Sequence, residues 1–380
     1  MKLLHLSDLH LGKRVNEFSM LEDQKYILEQ VLQICDREHT DGVLLAGDIY
    51  DRKEPSIEAV QLFDEFLVRL AEKKQKVFLI SGNHDSGERL AFAARLLKEN
   101  EIFISSVYQG KVETLELEDE YGSICVHLLP FVKLAHVARF FPEEEIKDYT
   151  QAIGKIVEEL DIDEKKRNVL VLHQYVAGAT RCESEETSVG GLDDVSTSVL
   201  EPFDYVALGH LHGPQRVTRD TIRYCGTLLK YSFSEEHHHK SVTLVELKEK
   251  GNVEIKTLEL HPLRDMCSIK GSYQELMAQS FYEGTNLRES YLQVTLTDEE
   301  DVPEALGKMR VIYPYIMKLG YDNTRTRRNQ EVAVTERVED KTPMELFCEL
   351  FELQNNQGLS AEQMEYMEKK IEDVWGGAKA

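Results

Sequence analysis

Over the first 262 residues, short unbroken apolar runs alternate with longer stretches in which apolar residues recur every three or four positions. The runs at 2–7, 42–46, 76–81, 168–172 and 205–208 are rich in Val, Ile and Leu and are bounded by turn residues. A strand that is apolar at nearly every position has to be covered on both faces, so these runs predict buried strands of a layered α/β domain. Stretches 20–38, 56–73 and 88–99 have helical spacing, with Ile57, Val60, Phe63, Leu67 and Leu70 as one apolar face. Residues 241–247 and 253–260 read as paired strands around a Lys-Gly-Asn turn at 250–252.

The pattern changes near His261 and Pro262. From there to about Val334 it reads helix, strand, helix, strand, with strands at 291–297 and 311–318 around a helix at 302–309. This is enough for a small α+β lobe. Thr342-Pro343-Met344-Glu345 and Ser360-Ala361-Glu362-Gln363 are capping boxes, each opening a helical pattern. The first helix offers Leu346, Phe347, Leu350 and Phe351, the second Met364, Met367, Ile371 and Val374, and 355–358 joins them as a hairpin. Three parts follow: 1–262, 263–334 and a helical segment at 335–380 whose apolar face needs a partner.

Composition narrows the class. Apolar content of 42% with 30% charged residues fits a folded protein. No run of about 18 apolar residues occurs, and His5 and Asp8 interrupt the apolar start before a secretory core could form; a cytoplasmic protein is expected. Cys35, Cys125, Cys182, Cys225, Cys267 and Cys348 are scattered without a C-x-x-C pair and read as reduced structural thiols. The net charge of -24 excludes a grip on nucleic acid by bulk electrostatics. Any such ligand must be held by local basic residues, by metal ions or by a partner.

Five clusters carry chemistry, and each follows a predicted strand: Asp8-Leu9-His10; Gly47-Asp48 with Asp51; Gly82-Asn83-His84-Asp85; His173; and Gly209-His210-Leu211-His212. In a parallel sheet the carboxyl ends of the strands share one edge, so residues from five strands can converge. Asp, Asn and His offer oxygen and imidazole nitrogen without thiolate, which suits Mn²⁺, Fe or Zn²⁺. These groups are too many for one catalytic ion with open positions, but fit two ions about 3.5–4 Å apart sharing a carboxylate. Taken singly, Asp8-x-His10 is a capping Asp beside a surface His, Gly47-Asp48 a strand-end turn, and His173 a hydrogen-bonded core histidine. Five such clusters after five strands are not independent accidents.

In order and spacing these clusters resemble the calcineurin-like metallophosphoesterase superfamily, over roughly the first 260 residues. The resemblance implies an α/β fold, a layered β-sandwich flanked by helices, with a small α+β cap and a C-terminal helical hairpin. It implies one metal held by Asp8, His10, Asp48 and His212, and another by Asp48, Asn83, His173 and His210, with Asp48 bridging. His84 is then not a ligand but the donor of a hydrogen bond or proton to the phosphate and leaving oxygen. Asp51 would fix its tautomer and raise its pKa, with Asp85 the alternative.

The superfamily includes protein phosphatases, cyclic nucleotide phosphodiesterases, nucleotidases and nucleases, so fold alone does not choose a substrate. Residues 6–13 (LSDLHLGK), 189–196 (VGGLDDVS) and 229–235 (LKYSFSE) are similar to the bacterial nuclease subunits that work with an SMC-like ATPase, and the similarity runs through the whole chain. It implies a Mn²⁺-dependent double-strand exonuclease and hairpin or single-strand endonuclease in DNA repair, replication and recombination. It also implies a homodimer within a heterotetramer, a lobe that caps the metal site, and terminal helices that dock on the ATPase. The alternatives are a phosphatase or cyclic nucleotide phosphodiesterase of the same superfamily, and a scaffold subunit of a DNA-repair complex. Lys13, Arg14, Arg52 and Lys53 are candidates for phosphate contact near the metal edge; Arg325, Arg327 and Arg328 read as solvated surface. His237 to His239 read as an exposed turn.

Overall fold

The computed structural model describes residues 1–182 and 194–326, then positions 344, 347, 348, 350, 351, 359, 360, 363, 364, 366, 367 and 369–371. The chain divides into two compact units, Met1–Met266 and Cys267–Ala380.

In the first unit the strands fall into two six-stranded sheets, the layered β-sandwich that the resemblance implies. The first runs in the order Val253–Glu259, Ser241–Leu247, Lys2–Leu6, Gly42–Ala46, Lys76–Ile80, Ile102–Ser105. Its last four strands are parallel. The second runs Gln215–Val217, Arg219–Tyr224, Tyr205–Gly209, Arg167–His173, Gly122–Leu129, Glu113–Asp119, with the central four parallel.

Alternation of side chains explains the pairing of the sheets. Leu3, Leu44, Ala46, Phe78 and Ile80 of the first sheet share one core with Val126, Leu128, Val169, Val171 and Ala207 of the second. The intervening residues Leu170, Leu172, Val206 and Leu208 face the other way and pack with Ile153 and Ile156 of helix Tyr149–Glu158. In the first sheet Leu4, Leu6, Val43 and Leu45 are likewise fully buried. Burial of each such side chain contributes about 1.5–3 kcal/mol, which is why unbroken apolar runs mark the inner strands.

Two helix expectations need correction. Helix Ile57–Glu72 forms, capped where Ser56 Oγ accepts the Ala59 N–H, but Ile57 and Val60 are 73% and 44% exposed. Its sequence carries apolar residues on more than one side; Phe63, Leu67 and Leu70 of the expected face are buried, together with Ala59, Leu62 and Phe66. Stretch 88–99 is not one helix but the short turns Gly87–Leu90, Ala94–Leu97 and Lys98–Asn100. Ala93 sits at φ 59°, a left-handed conformation that ends a right-handed helix.

The second unit holds a three-stranded sheet, Met266–Gly271, Tyr291–Leu296 and Ile316–Tyr321, in that order. Its core gathers Leu276, Leu292, Val294, Met309 and Tyr313. The strand at Met266–Gly271 is additional to the expected order. The helix lies at Ala305–Arg310 and the last strand begins only at Ile316, because the backbone of Ile312 and Tyr313 still bonds back to Met309. Farther on, Ser360 and Gln363 make the reciprocal bonds of a capping box, Gln363 N–H to Ser360 Oγ at 3.3 Å and Ser360 N–H to Gln363 Oε1 at 2.9 Å. The Thr342-Pro343 start, the joint at 355–358 and Arg327 and Arg328 lie outside the described residues. Among the described residues no helix is long and apolar enough to cross a membrane.

Candidate metal centre

The loops after the inner strands of both sheets meet at one edge. The first two are stitched by backbone bonds from Asp8 N–H to Gly47 O and from His10 N–H to Asp48 O, both 3.0 Å. Two glycines allow the approach: a Cβ at Gly82 would stand 2.1 Å from Asp48 Oδ1, and one at Gly209 would stand 1.9 Å from Ala46 O. Asp8, His10, Asp48 and His210 hold φ angles of 52°, 45°, 50° and 107°. Each such conformation costs on the order of 1–3 kcal/mol in a residue with a Cβ, and clusters of them are typical of functional sites.

Asp48 lies at the centre. Its Oδ2 is 3.4 Å from His173 Nε2 and 3.8 Å from His10 Nε2, while its Oδ1 accepts the His84 backbone N–H at 2.9 Å. Asn83 Oδ1 is 3.0 Å from His173 Nε2 and 3.1 Å from His210 Nδ1. Asp8 accepts the His210 backbone N–H through both oxygens at 3.1 Å. The ring of His10 is 5.3 Å from that of His212, and the ring of His173 is 5.3 Å from that of His210. The donor atoms of Asp8, Asp48 and His173 lie within 4.8 Å of one another, as do those of His10, Asp48 and His84.

The chemistry of this cluster fits divalent cations. Both ring nitrogens of His10 are buried without a hydrogen-bond partner, a costly state for a polar group that a ligand would relieve. Burial keeps His10 neutral and well below the usual imidazole range, and lowers His210 to about 3. Burial raises Asp8 to about 6. Burial opposes charge on His173 and Asp48 as well, yet their mutual attraction wins, moving His173 up to about 9 and holding Asp48 below the carboxylate range. The edge thus attracts positive charge, and a divalent ion would displace the proton on His173.

Several supports were not legible in the sequence. Glu235, fully buried, accepts the His212 Nδ1–H at 3.1 Å and is neutralised by Lys240 Nζ at 2.6 Å. That bond leaves His212 Nε2 as the ring nitrogen turned to the cluster. Gln24 donates to His10 O at 2.7 Å and accepts from Gly12 N–H at 3.0 Å, and Tyr231 donates to Leu9 O at 2.7 Å, bracing the loop that carries His10. The available signal was a polar Gln24 on the apolar face of its helix, between Met20 and Ile27. Partners of this kind typically change metal affinity about 10–100-fold. Glu235→Gln is expected to weaken manganese binding by that factor in a calorimetric titration; unchanged affinity would mean His212 is not held through Glu235.

The expected carboxylate partner of His84 is not found there. His84 Nδ1 is 3.0 Å from the backbone oxygen of Asp51, which can only accept, so Nδ1 carries a proton and Nε2 is the ring nitrogen left for a substrate, a donor when the ring is cationic. The Asp51 carboxylate pairs instead with Lys13 at 2.6 Å and lies 3.8 Å from His10 Nδ1. Asp85 accepts the backbone N–H groups of Ile49, Tyr50 and Gly82, a brace for the loop rather than a partner of His84. Of the other basic candidates, Arg325 is paired with Asp301 at 2.7 Å, and Arg52 lies 3.7 Å from Asp51. None of the six cysteines is in a disulfide, and Cys182 lies beside His212 and Glu235. His237 and His239 are exposed.

Residues 1–214 match the calcineurin-like phosphoesterase family, and residues 262–355 match the family described as the type 5 capsule protein repressor C-terminal domain. The SbcD subunit of the SbcCD nuclease from Staphylococcus epidermidis is 31% identical over 354 residues, covering 91% of this chain and 92% of its own. Among solved structures, a dimetal phosphatase from Danio rerio aligns with a TM-score of 0.42 at 14% identity, over 69% of this chain and 99% of that one. The protein TT1561 of Thermus thermophilus aligns with a TM-score of 0.39 at 13% identity, over 67% and 98%. With one family matched over more than half its length and a relative of 31% identity along nearly all of it, the chain belongs to the calcineurin-like phosphoesterases and, within them, to the SbcD family.

Proposed function

We propose that the chain is the nuclease subunit of an SbcCD-type complex, a two-metal phosphodiesterase that cuts DNA with Mn²⁺ in the cytoplasm. It would act as a double-strand exonuclease and as an endonuclease on hairpins and single strands, with an SbcC-type ATPase, in DNA repair, replication and recombination. The observation that carries this reading is the convergence of Asp8, His10, Asp48, Asn83, His173, His210 and His212 on one edge beside His84. In this reading one ion is held by Asp8, His10, Asp48 and His212 and the other by Asp48, Asn83, His173 and His210. When bound, two such ions activate water and neutralise the charge of an in-line phosphoryl displacement.

The chain's own residues supply the rest. His173 donates Nδ1–H to Ala46 O at 2.7 Å, which aims its Nε2 at Asp48 and Asn83. His84, with Nδ1 fixed on Asp51 O, presents Nε2 to the leaving oxygen as hydrogen-bond or proton donor. Ile57, Val60 and Val68 of helix Ile57–Glu72 are exposed apolar residues that a second copy would cover in a homodimer. Sedimentation of the intact chain reads this directly: a dimer is expected, and a monomer at micromolar concentration would oppose it.

The decisive assay offers hairpin and blunt duplex DNA, with Mn²⁺ or Mg²⁺, with and without an SbcC-type ATPase. Metal-dependent DNA cleavage that the ATPase stimulates is the expected result. Far faster turnover of a nucleotide than of hairpin DNA, without any ATPase, would favour the phosphatase or cyclic nucleotide phosphodiesterase. No cleavage of either would favour the scaffold.

A further inference from the structure

Beside the metal edge, within the first unit, lies a cleft of about 400 Å³. Asn83, Phe131, Lys53, Lys133, His136 and Arg139 are among the residues that line it. The Phe131 ring is half-buried and stands edge-on to His173 at 6.2 Å, held by a bond from its N–H to Ser81 O at 3.0 Å. Lys53, Lys133 and Arg139 are exposed and make no ion pair among the described residues. In a chain of net charge -24, where many other Lys and Arg side chains are matched to acids, these three are left for an anionic ligand. One exposed acid, Glu88, also reaches the cleft.

Cations that track a backbone beside an aromatic face are the means by which proteins hold a single strand without reading its sequence. The volume is at the low end for ligand clefts, room for one nucleotide and not for a base pair. We propose that this cleft holds the nucleotide next to the scissile phosphate in a strand that has left the duplex, its base against Phe131 and its next phosphates on Lys133 and Arg139. The proposal rests on the DNA reading above and adds to it where the strand runs.

The test compares the wild type with the double variant Lys133→Glu/Arg139→Glu on two substrates with Mn²⁺. The first is bis(p-nitrophenyl) phosphate, which carries no phosphate beyond the scissile one for Lys133 and Arg139 to hold. The second is an unstructured oligodeoxythymidine. The variant is expected to hydrolyse the small diester within about twofold of wild type, while its KM for the oligonucleotide rises at least about tenfold. The slope of log(kcat/KM) against log salt should become shallower by about 1.4, the single-strand value for two phosphate contacts. An unchanged oligonucleotide KM and salt slope would overturn the cleft. Failure of the wild type on both substrates would instead count against the nuclease reading, and the cleft is then read by fluorescence anisotropy of the same oligonucleotide on the metal-free chain. There, about tenfold weaker binding by the variant upholds it and equal binding overturns it. If the reversal variant loses both activities, Lys133→Gln/Arg139→Gln replaces it under the same criteria.

Discussion

Asp48→Asn is expected to remove both metal ions together and to lower DNA cleavage by about three powers of ten. Asparagine keeps the size of the side chain and an oxygen that can still accept the His84 N–H at the position of Oδ1. The second position becomes an NH₂ donor facing His173 Nε2 and His10 Nε2, now 3.4 Å and 3.8 Å from Oδ2. A donor cannot coordinate a cation, and the edge loses one negative charge. Lewis-acid stabilisation by such ions amounts to several kcal/mol, and each 1.36 kcal/mol is about a factor of ten in rate. Calorimetric titration with manganese checks it: stoichiometry should fall toward zero. A variant that keeps one ion at wild-type affinity would show that Asp48 does not bridge.

His84→Gln should do the reverse, preserving metal stoichiometry while kcat on hairpin DNA drops about 10²–10⁴-fold, the usual contribution of a general acid. The geometry leaves two possible roles for His84, because its donor atoms lie with those of His10 and Asp48 within 4.8 Å. Its Nδ1 is committed to Asp51 O, so only Nε2 is available, and glutamine can hydrogen-bond but cannot transfer a proton at that position. A general acid matters in proportion to the basicity of the leaving group. The defect should therefore be large for DNA and small for an activated p-nitrophenyl diester. Equal losses on both substrates, together with a missing ion, would make His84 a ligand.

Five inner strands were legible because burial on two faces forces unbroken apolar runs, and Lys2–Leu6, Gly42–Ala46, Lys76–Ile80, Arg167–His173 and Tyr205–Gly209 start and stop within about two residues of expectation, whereas Gly122–Leu129 and Arg219–Tyr224, also inside the second sheet, were missed. The resemblance implied a two-layered sandwich, but which sheet each strand joins was not legible in the runs, since a run that is apolar throughout does not say which sheet covers it. Outer strand Glu113–Asp119 was missed, its alternating residues leaving one face in solvent and none of the continuous signal. The broken stretch after Gly87 turns on a single left-handed Ala93, which apolar spacing cannot reveal.

The same division holds at the site. Residue types and order marked all seven candidate ligands, whereas Glu235, Gln24 and Tyr231 act through contacts made only when distant segments meet. Asp51 shows the limit most clearly. Its proximity to His84 was foreseeable from the motif, but which of its oxygens faces that ring depends on Lys13, far away in the chain, having claimed the carboxylate.

The central claim is that Asp48 stands between two cations, and a crystal grown with manganese tests it most directly. The anomalous difference map should show two peaks about 3.5–4 Å apart, one on the side of His10 and His212 and the other on the side of Asn83, His173 and His210. A single peak, or none with the imidazoles turned away from Asp48, would contradict the account.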